Sequence, residues 1–107
     1  MSKDLGISRL CDAYGALLTE HRLEILREFY DYDYSLAEIA ENFGFTRQAA
    51  LGSIRKAEKQ LLSYEDKLGY VKKTDVLKAS LKSLADKMGS IDADEAKEEL
   101  VRLIDEI

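Results

Sequence analysis

The chain has no proline and no tryptophan, and only one cysteine among its 107 residues. The strongest helix breaker is therefore absent, and the wealth of Leu, Ala, Glu and Lys favours helices, so we predict an all-α protein. A lone cysteine cannot form an internal disulfide, and proteins without disulfides are typical of the reducing cytoplasm. No apolar run approaches the ~18 residues of a membrane span, and the N-terminus lacks the apolar stretch of a signal peptide. We therefore predict a cytoplasmic protein without a membrane span.

Residues typical of catalytic and metal sites are also scarce. His21 is the only histidine and Cys11 the only cysteine, so neither has a second residue of its own type with which to bind a metal. We predict that His21 lies at the surface and that Cys11 lies in the core. Asp31 and Asp33 lack the ligand spacing of a calcium loop and are expected to be solvated turn residues. No glycine-rich phosphate loop and no Ser, His and Asp set is present. We therefore predict that the protein is not an enzyme, and that it has no catalytic residue, no metal site and no cofactor.

The net charge of −5 is unevenly distributed along the chain. Residues 1–45 carry 4 basic and 9 acidic side chains, residues 46–67 carry 5 and 3, and residues 68–107 carry 7 and 9. Nonspecific affinity for nucleic acid comes from neutralising phosphates, so only the central segment is suited to it. A monomer would bind weakly, whereas a dimer would double the basic surface.

A helix-turn-helix is predicted in "SLAEIAENFGFTRQAALGSIRKAEK", residues 35–59. Ser35 and Glu38 have the spacing of a capping box, and Gly44 can end the short first helix in a left-handed conformation. Thr46 can cap a longer second helix that ends near Gly69. An ordinary hairpin within a core is the alternative, but the cap, the glycine and the apolar spacing all agree with a helix-turn-helix.

The long helix carries an apolar stripe that extends beyond the short helices before it, so we expect its second half to need another partner. A connector is predicted at residues 70–73, "YVKK". Thr74 can cap a fifth helix, and Ser90 or Asp92 a sixth, which together form an antiparallel hairpin. We predict a helix-turn-helix domain at residues 1–69 and a C-terminal hairpin at 70–107 for oligomerisation or partner binding.

The segment "LLTEHRLEILREFYDYDYSLAEIAENFGFTRQAALGSIRKAEKQLLSYEDKLG" resembles the YlxM family of small bacterial proteins. Its most characteristic pieces are "DYSLAEIAE", "TRQA", "IRKAEK" and "YEDKL". That family is associated with the signal recognition particle pathway, and the same core is similar to region 4 of bacterial sigma factors. The resemblance implies a regulatory helix-turn-helix protein without a wing. It implies partners among DNA, the particle's RNA and the particle's proteins.

In a helix-turn-helix, outward residues near the start of the second helix contact bases. Arg47 can pair with guanine and Gln48 with adenine, while Thr46 can bond a phosphate. Further basic residues follow on the same helix and can contact bases or phosphates. The predicted nucleic-acid-binding residues are Thr46, Arg47, Gln48, Arg55, Lys56 and Lys59.

Two outward positions of this helix depart from a base-contacting surface. Leu51 and Gly52 occupy places where polar residues are usual in relatives, and Gly52 costs the helix roughly 1 kcal/mol relative to alanine. Together with the acidic net charge, they favour a second hypothesis, a protein-interaction adaptor of the signal recognition particle pathway that does not bind DNA. In both cases we expect a homo-oligomer, a dimer in which each hairpin packs on the partner's long helix. Packing of the hairpin within its own chain is the alternative.

Overall fold

The computed structural model describes residues 5–107, which form six α-helices and one short 3-10 helix without any β-strand. The helices are α1 (Leu5–Tyr14), the 3-10 helix (Gly15–Leu17), α2 (Glu20–Tyr30), α3 (Leu36–Phe43), α4 (Arg47–Leu68), α5 (Tyr70–Lys87) and α6 (Ala93–Glu106). The predicted all-α class is confirmed. The chain divides into two compact units, Met1–Gly69 and Tyr70–Ile107. Their standing as separate domains stays a prediction, and residues 1–4 of the predicted first domain lie outside the described residues.

The first unit is built around α4. Its side chains at i, i+4, i+7 and i+11 are at most 1% exposed, and α1, α2 and α3 all pack against this helix; they are Ala50, Ile54, Ala57 and Leu61. Two hydrogen bonds join α2 to the side of α4. Arg22 donates to Gln60 at 2.9 Å, and the Tyr30 hydroxyl donates to the Glu58 carboxylate. Since the polar groups beside the core are paired, the helices are fixed in one register.

The second half of α4 is covered by the N-terminal part of the same unit. The Tyr14 hydroxyl at the end of α1 donates to Glu65 at 2.5 Å, and the Tyr64 hydroxyl donates to the Leu17 carbonyl at 3.3 Å. The expectation that this half needs another partner was therefore wrong. Of the predicted stripe, only Leu68 remains exposed; the residues of the stripe are Ala50, Ile54, Ala57, Leu61, Tyr64 and Leu68. The chain reverses through the 3-10 helix, and this brings α1 alongside α4.

Arg27 ties α1 to the end of α2. Its guanidinium donates to Asp12 at 2.7 Å and to Asp31 at 2.8 Å, and the Ser8 hydroxyl also donates to Asp31 at 2.8 Å. These donors lower the pKa of Asp31. Asp31 is therefore more than a solvated turn residue, because it links two helices. Cys11 lies in the core as predicted, and burial raises the pKa of its thiol.

The second unit is a helical hairpin that begins without a connector. Gly69, in a left-handed conformation with φ of 60°, ends α4, and α5 starts at the next residue. The predicted connector at residues 70–73 was therefore wrong, and Thr74 lies within α5. Of the two proposed caps for α6, Asp92 is the one used: its carboxylate accepts from the Glu95 amide at 2.8 Å. A single left-handed glycine is enough to separate the two helices.

The buried stripe of α4 generates a prediction about stability. Ile54→Ala should lower the free energy of unfolding by ~2–5 kcal/mol, because it leaves a cavity at a position that is 1% exposed. Ala40→Leu should cost ~1–3 kcal/mol, because Ala40 is buried on α3 and a larger side chain would overpack its surroundings. Denaturant unfolding followed by circular dichroism measures both changes. Two neutral substitutions would contradict the packing of α3 on α4.

Two glycines should respond to alanine in opposite directions. Gly44 has φ of +70°, so Gly44→Ala should destabilise the protein by about 1 kcal/mol. Gly52 lies within α4, and a Cβ there would meet no atom within 4 Å, so Gly52→Ala should stabilise it by roughly 0.5–1 kcal/mol. The two unfolding midpoints, measured against the unmodified chain, provide the comparison. A loss of stability in Gly52→Ala would show that the position is not open.

Candidate nucleic-acid interface

A tight turn between α3 and α4 sets the direction of the second helix. The Ser35 hydroxyl accepts from the Glu38 amide at 3.1 Å, and the Glu38 carboxylate accepts from the Ser35 amide at 3.2 Å, which completes the predicted capping box. At the other end of α3, the Gly44 amide donates to the Glu41 carbonyl and the Phe45 amide to the Ala40 carbonyl. These two bonds form a Schellman motif. The predicted helix-turn-helix is therefore confirmed.

Three rings pack together beside this turn. His21 lies edge-on to Phe43 and Phe45, with ring centroids 5.0 and 5.6 Å away, and the two phenylalanine rings stack at 5.9 Å. His21 is exposed, as predicted, but its contacts with the turn were missed. The two phenylalanines on either side of Gly44 were the available clue. The cluster joins the first turn of α2 to the helix-turn-helix.

The face of α4 opposite its buried stripe is open to solvent. Gln48, Gly52, Arg55 and Lys59 recur at i, i+4, i+7 and i+11, so they lie in one line, which we call the outward stripe. The side chains of Gln48, Arg55 and Lys59 are exposed. Three of the six predicted nucleic-acid-binding residues thus share one straight surface.

The other three predicted residues surround the outward stripe. Lys56 is exposed on one flank, and Arg47 is exposed in the first turn of α4, on the other flank. The Thr46 hydroxyl oxygen accepts from the Ala49 amide at 3.0 Å and so caps the helix. Its hydroxyl proton is still available to donate to a phosphate. All six positions belong to the first four turns of α4 or to its cap.

The basic groups of this surface are not neutralised by the protein. Across residues 5–107, the side chains of Arg47, Arg55, Lys56 and Lys59 form no ion pair. Two acidic residues of α4, Glu58 and Glu65, are turned toward tyrosines of α2 and α1 instead. The side of α4 that faces solvent is consequently positive within an acidic chain.

Gly52 leaves a notch in the middle of the outward stripe. It lies between Gln48 and Arg55, and nothing lies within 4 Å of the place where its Cβ would be. Leu51, which we predicted to point outward, is only half-buried and so contributes partly to the packing of α4. The notch would let a backbone approach α4 more closely than any other residue would permit.

A second surface lies between α2 and α3. An open groove of about 700 Å³ is lined by α2, the loop after it, and α3. Its lining includes Glu20, Glu24 and Glu28 at successive turns of α2, together with Tyr32 and Tyr34. Glu28 is 8% exposed and accepts from the Asn42 amide at 2.9 Å. Arg27 lines the groove as well. No lining residue belongs to α4, so this groove is distinct from the outward stripe.

Between residues 5 and 107, no group of three His, Cys, Asp or Glu side chains is arranged to hold a metal ion. No helix in that range combines the length and the apolar character that crossing a membrane requires.

Comparison with known proteins agrees with this architecture. A family model described as "Putative helix-turn-helix protein, YlxM / p13 like" matches residues 1–103. The chain is 38% identical over 107 residues to the UPF0122 protein of Clostridium acetobutylicum, which covers all of this chain and 92% of the relative. It is 49% identical over 65 residues to the UPF0122 protein of Symbiobacterium thermophilum, covering 61% of each chain. The chain therefore belongs to the UPF0122 family of YlxM / p13-like helix-turn-helix proteins.

Proposed function

We propose that the protein is a regulatory nucleic-acid-binding protein that uses the outward stripe of α4 and its flanks. The observation that carries this proposal is the set of exposed basic side chains on the second helix of a helix-turn-helix, none of which is paired within residues 5–107. In an acidic chain, unpaired basic groups on one helix face suit a polyanion. Binding and regulation, rather than catalysis, are the proposed activity.

The residues of α4 divide into two roles in this proposal. Arg47 and Gln48, in the first turn, are placed to contact bases, since arginine pairs with guanine and glutamine with adenine. Lys56 and Lys59, further along, contact phosphates, together with the Thr46 hydroxyl. The notch at Gly52 lets the nucleic-acid backbone come close to the helix.

We also propose that the protein works as a homo-oligomer. One chain supplies only a small positive surface, and nucleic-acid affinity rises steeply with the number of phosphates neutralised. Two copies would present two α4 helices and could bind two half-sites.

Two substitutions separate base contacts from phosphate contacts. Arg47→Ala should weaken binding to a DNA duplex selected for high affinity by ~1–3 kcal/mol, with little effect on a random duplex. Lys56→Ala should weaken binding to both duplexes equally. It should also reduce the slope of log affinity against log salt concentration by about one counterion. Fluorescence anisotropy at two or more salt concentrations measures these effects.

The matched control is Lys67→Ala, which removes the same charge from the last turn of the same helix. It should leave both affinities nearly unchanged, because Lys67 lies outside the predicted interface. If the Arg47→Ala/Lys56→Ala double variant binds as tightly as the unmodified chain, nucleic-acid binding through α4 is refuted.

A second candidate function is an adaptor of the signal recognition particle pathway, which the family resemblance suggests. The observation that favours it is the groove between α2 and α3, where the exposed Glu20 and Glu24 and two tyrosines line one open surface. Arg27 also lines the groove, but its charge is paired with Asp12 and Asp31. Carboxylates and aromatic rings together suit lysine and arginine side chains, through ion pairs and cation–π contacts. The occupant would be a basic segment of a protein of the particle.

The groove and the outward stripe can be tested separately. Tyr32→Ala should weaken binding to the particle's purified protein component by about 2 kcal/mol, because Tyr32 is 64% exposed at the groove and would anchor the partner. Glu24→Lys should weaken it too, whereas Asp66→Lys, the same charge change on α4, should not. Binding of the particle's RNA, measured in parallel, should be weakened by Arg47→Ala and Lys56→Ala and not by the two groove variants. Unchanged protein binding in both groove variants would reject the adaptor.

A further inference from the structure

One carboxylate of α2 lies where a charged group is rarely found. Glu28 is the only charged side chain that is buried in the part of the chain that the structure describes, with 8% of its surface exposed. Carboxylates are almost never buried without a cation beside them, because removing the charge from water is costly. No lysine, arginine or histidine of residues 5–107 forms an ion pair with Glu28. Its charge is therefore uncompensated within these residues.

The two oxygens of this carboxylate differ in their surroundings. Oε1 accepts from the Asn42 side-chain amide at 2.9 Å, but this neutral donor does not balance the charge. Oε2 accepts no hydrogen bond from residues 5–107. No side-chain oxygen of those residues is both sealed from solvent and without a partner, so Oε2 is not sealed. Since Glu28 lines the groove between α2 and α3, its Oε2 opens into that groove.

Two more carboxylates continue the row along α2. Glu24 and Glu20 precede Glu28 by one and two turns, and both are exposed and line the groove. Side chains one turn apart on a helix lie ~6 Å apart, so the three carboxylates span ~12 Å. Arg27 also lines the groove, but its guanidinium is occupied by two aspartates outside it. The negative charge thus extends over a length that one ligand side chain cannot cover.

Two tyrosine rings line the same groove from the loop after α2. Tyr32 and Tyr34 are exposed, and their ring centroids lie 6.2 Å apart. The Tyr34 amide donates to the Glu28 carbonyl at 2.9 Å, which fastens the loop to α2 at the residue with the buried carboxylate. Asp33, between the two tyrosines, has φ of 57°, a left-handed conformation that few non-glycine residues adopt. The rings are thus held beside Glu28 before any ligand arrives.

A half-satisfied carboxylate beside exposed rings suits a guanidinium better than an ammonium. A guanidinium is planar, so it can stack on a tyrosine ring while its N–H groups donate from its edge. It is also more weakly hydrated than an ammonium, so it loses less solvation when it enters a partly buried site. Arginine is therefore the side chain that best matches the chemistry of the groove.

Other ligands match the groove less well. Carboxylates ~6 Å apart in a row do not converge on one metal ion, which needs several oxygens around a single point. Nucleic acid would be repelled by the same carboxylates, so the groove and the outward stripe have ligands of opposite charge. A free amino acid would leave most of the row uncovered, whereas a segment of a protein can carry several cations along it.

We propose that the groove between α2 and α3 binds an arginine-bearing segment of a partner protein, with one guanidinium paired to Oε2 of Glu28 and stacked on Tyr32. Further basic residues of the segment lie along Glu24 and Glu20. The guanidinium supplies the positive charge that Glu28 lacks. This deepens the second candidate function by naming the side chain that the groove selects, and it rests on that candidate only for the identity of the partner.

A pair of synthetic peptides tests the choice of ligand. Both are fluorescently labelled and serine-rich, and one carries two arginines where the other carries two lysines. Anisotropy with the full chain should give a dissociation constant at least about threefold lower for the arginine peptide. Free arginine should displace that peptide only at concentrations at least about a hundredfold higher, because it lacks the second cation. Equally tight binding of the lysine peptide or of free arginine would overturn the proposal.

Glu28→Gln removes the buried charge and keeps an oxygen for the Asn42 amide. This variant should raise the dissociation constant of the arginine peptide at least about tenfold. Its unfolding midpoint should not fall, because a buried charge without a cation is costly to the folded state. Glu41→Gln is the matched control, since it removes the same charge from an exposed position of α3 outside the groove. Equal affinities of these two variants for the peptide would overturn the proposal.

Tyr32→Ala keeps the test decisive if Glu28→Gln does not fold. Tyr32 is exposed, so the fold should persist, while loss of the stacked ring should raise the dissociation constant about fivefold. Unchanged affinity for the arginine peptide would exclude the stacked guanidinium. Sedimentation of the chain alone covers the remaining occupant: if copies associate and the arginine peptide disperses them, the groove binds a second copy and the proposed partner segment is wrong.

The peptides also separate this inference from the adaptor function. If the arginine peptide binds as expected but the particle's purified protein component does not bind, the adaptor is refuted and the chemistry of the groove is supported. If that protein binds the unmodified chain and Glu28→Gln equally, while Tyr32→Ala weakens it, the adaptor stands and the role of Glu28 is refuted.

Discussion

Ala50, Ile54, Ala57 and Leu61 lie in one line along α4, and the exclusion of that line from water organises the whole first unit. Three other helices pack around it: α1 along its second half, α2 at its side and α3 at its start. Small residues alternate with large ones in this line, so neighbouring helices can approach α4 closely. The hydrogen bonds from Tyr14, Tyr30 and Arg22 then fix these helices at their rims.

The same constraint creates the surface proposed to bind nucleic acid. Once one face of a helix is buried, the residues half a turn away are fixed in the solvent, and on α4 these are Gln48, Gly52, Arg55 and Lys59. Two of the three acidic residues of α4, Glu58 and Glu65, point toward tyrosines at the flanks. Position on the helix, rather than net composition, thus concentrates the positive charge on one side of an acidic chain.

The two units use their apolar residues in opposite ways. In the first unit the apolar stripes of four helices are mutually covered, and they bury a core that includes Ile25, Leu26 and Ile39. In the second unit two stripes cover each other only at Leu84 and Ala96. A layer of two helices leaves one apolar face open.

The sequence by itself determined the helices, because their limits depend on local chemistry: the Ser35–Glu38 box, the Thr46 cap and the left-handed Gly44 act on adjacent backbone groups. It also located the basic segment of α4.

Only the tertiary structure decided that α1 covers the second half of α4, since that contact joins residues about fifty positions apart, as in the bond from Tyr14 to Glu65. The roles of His21 at the turn and of Asp31 between helices were likewise hidden, because each depends on partners brought near by packing. The continuation from Gly69 directly into α5 was missed because a cap residue inside a helix and one at its start look alike in sequence.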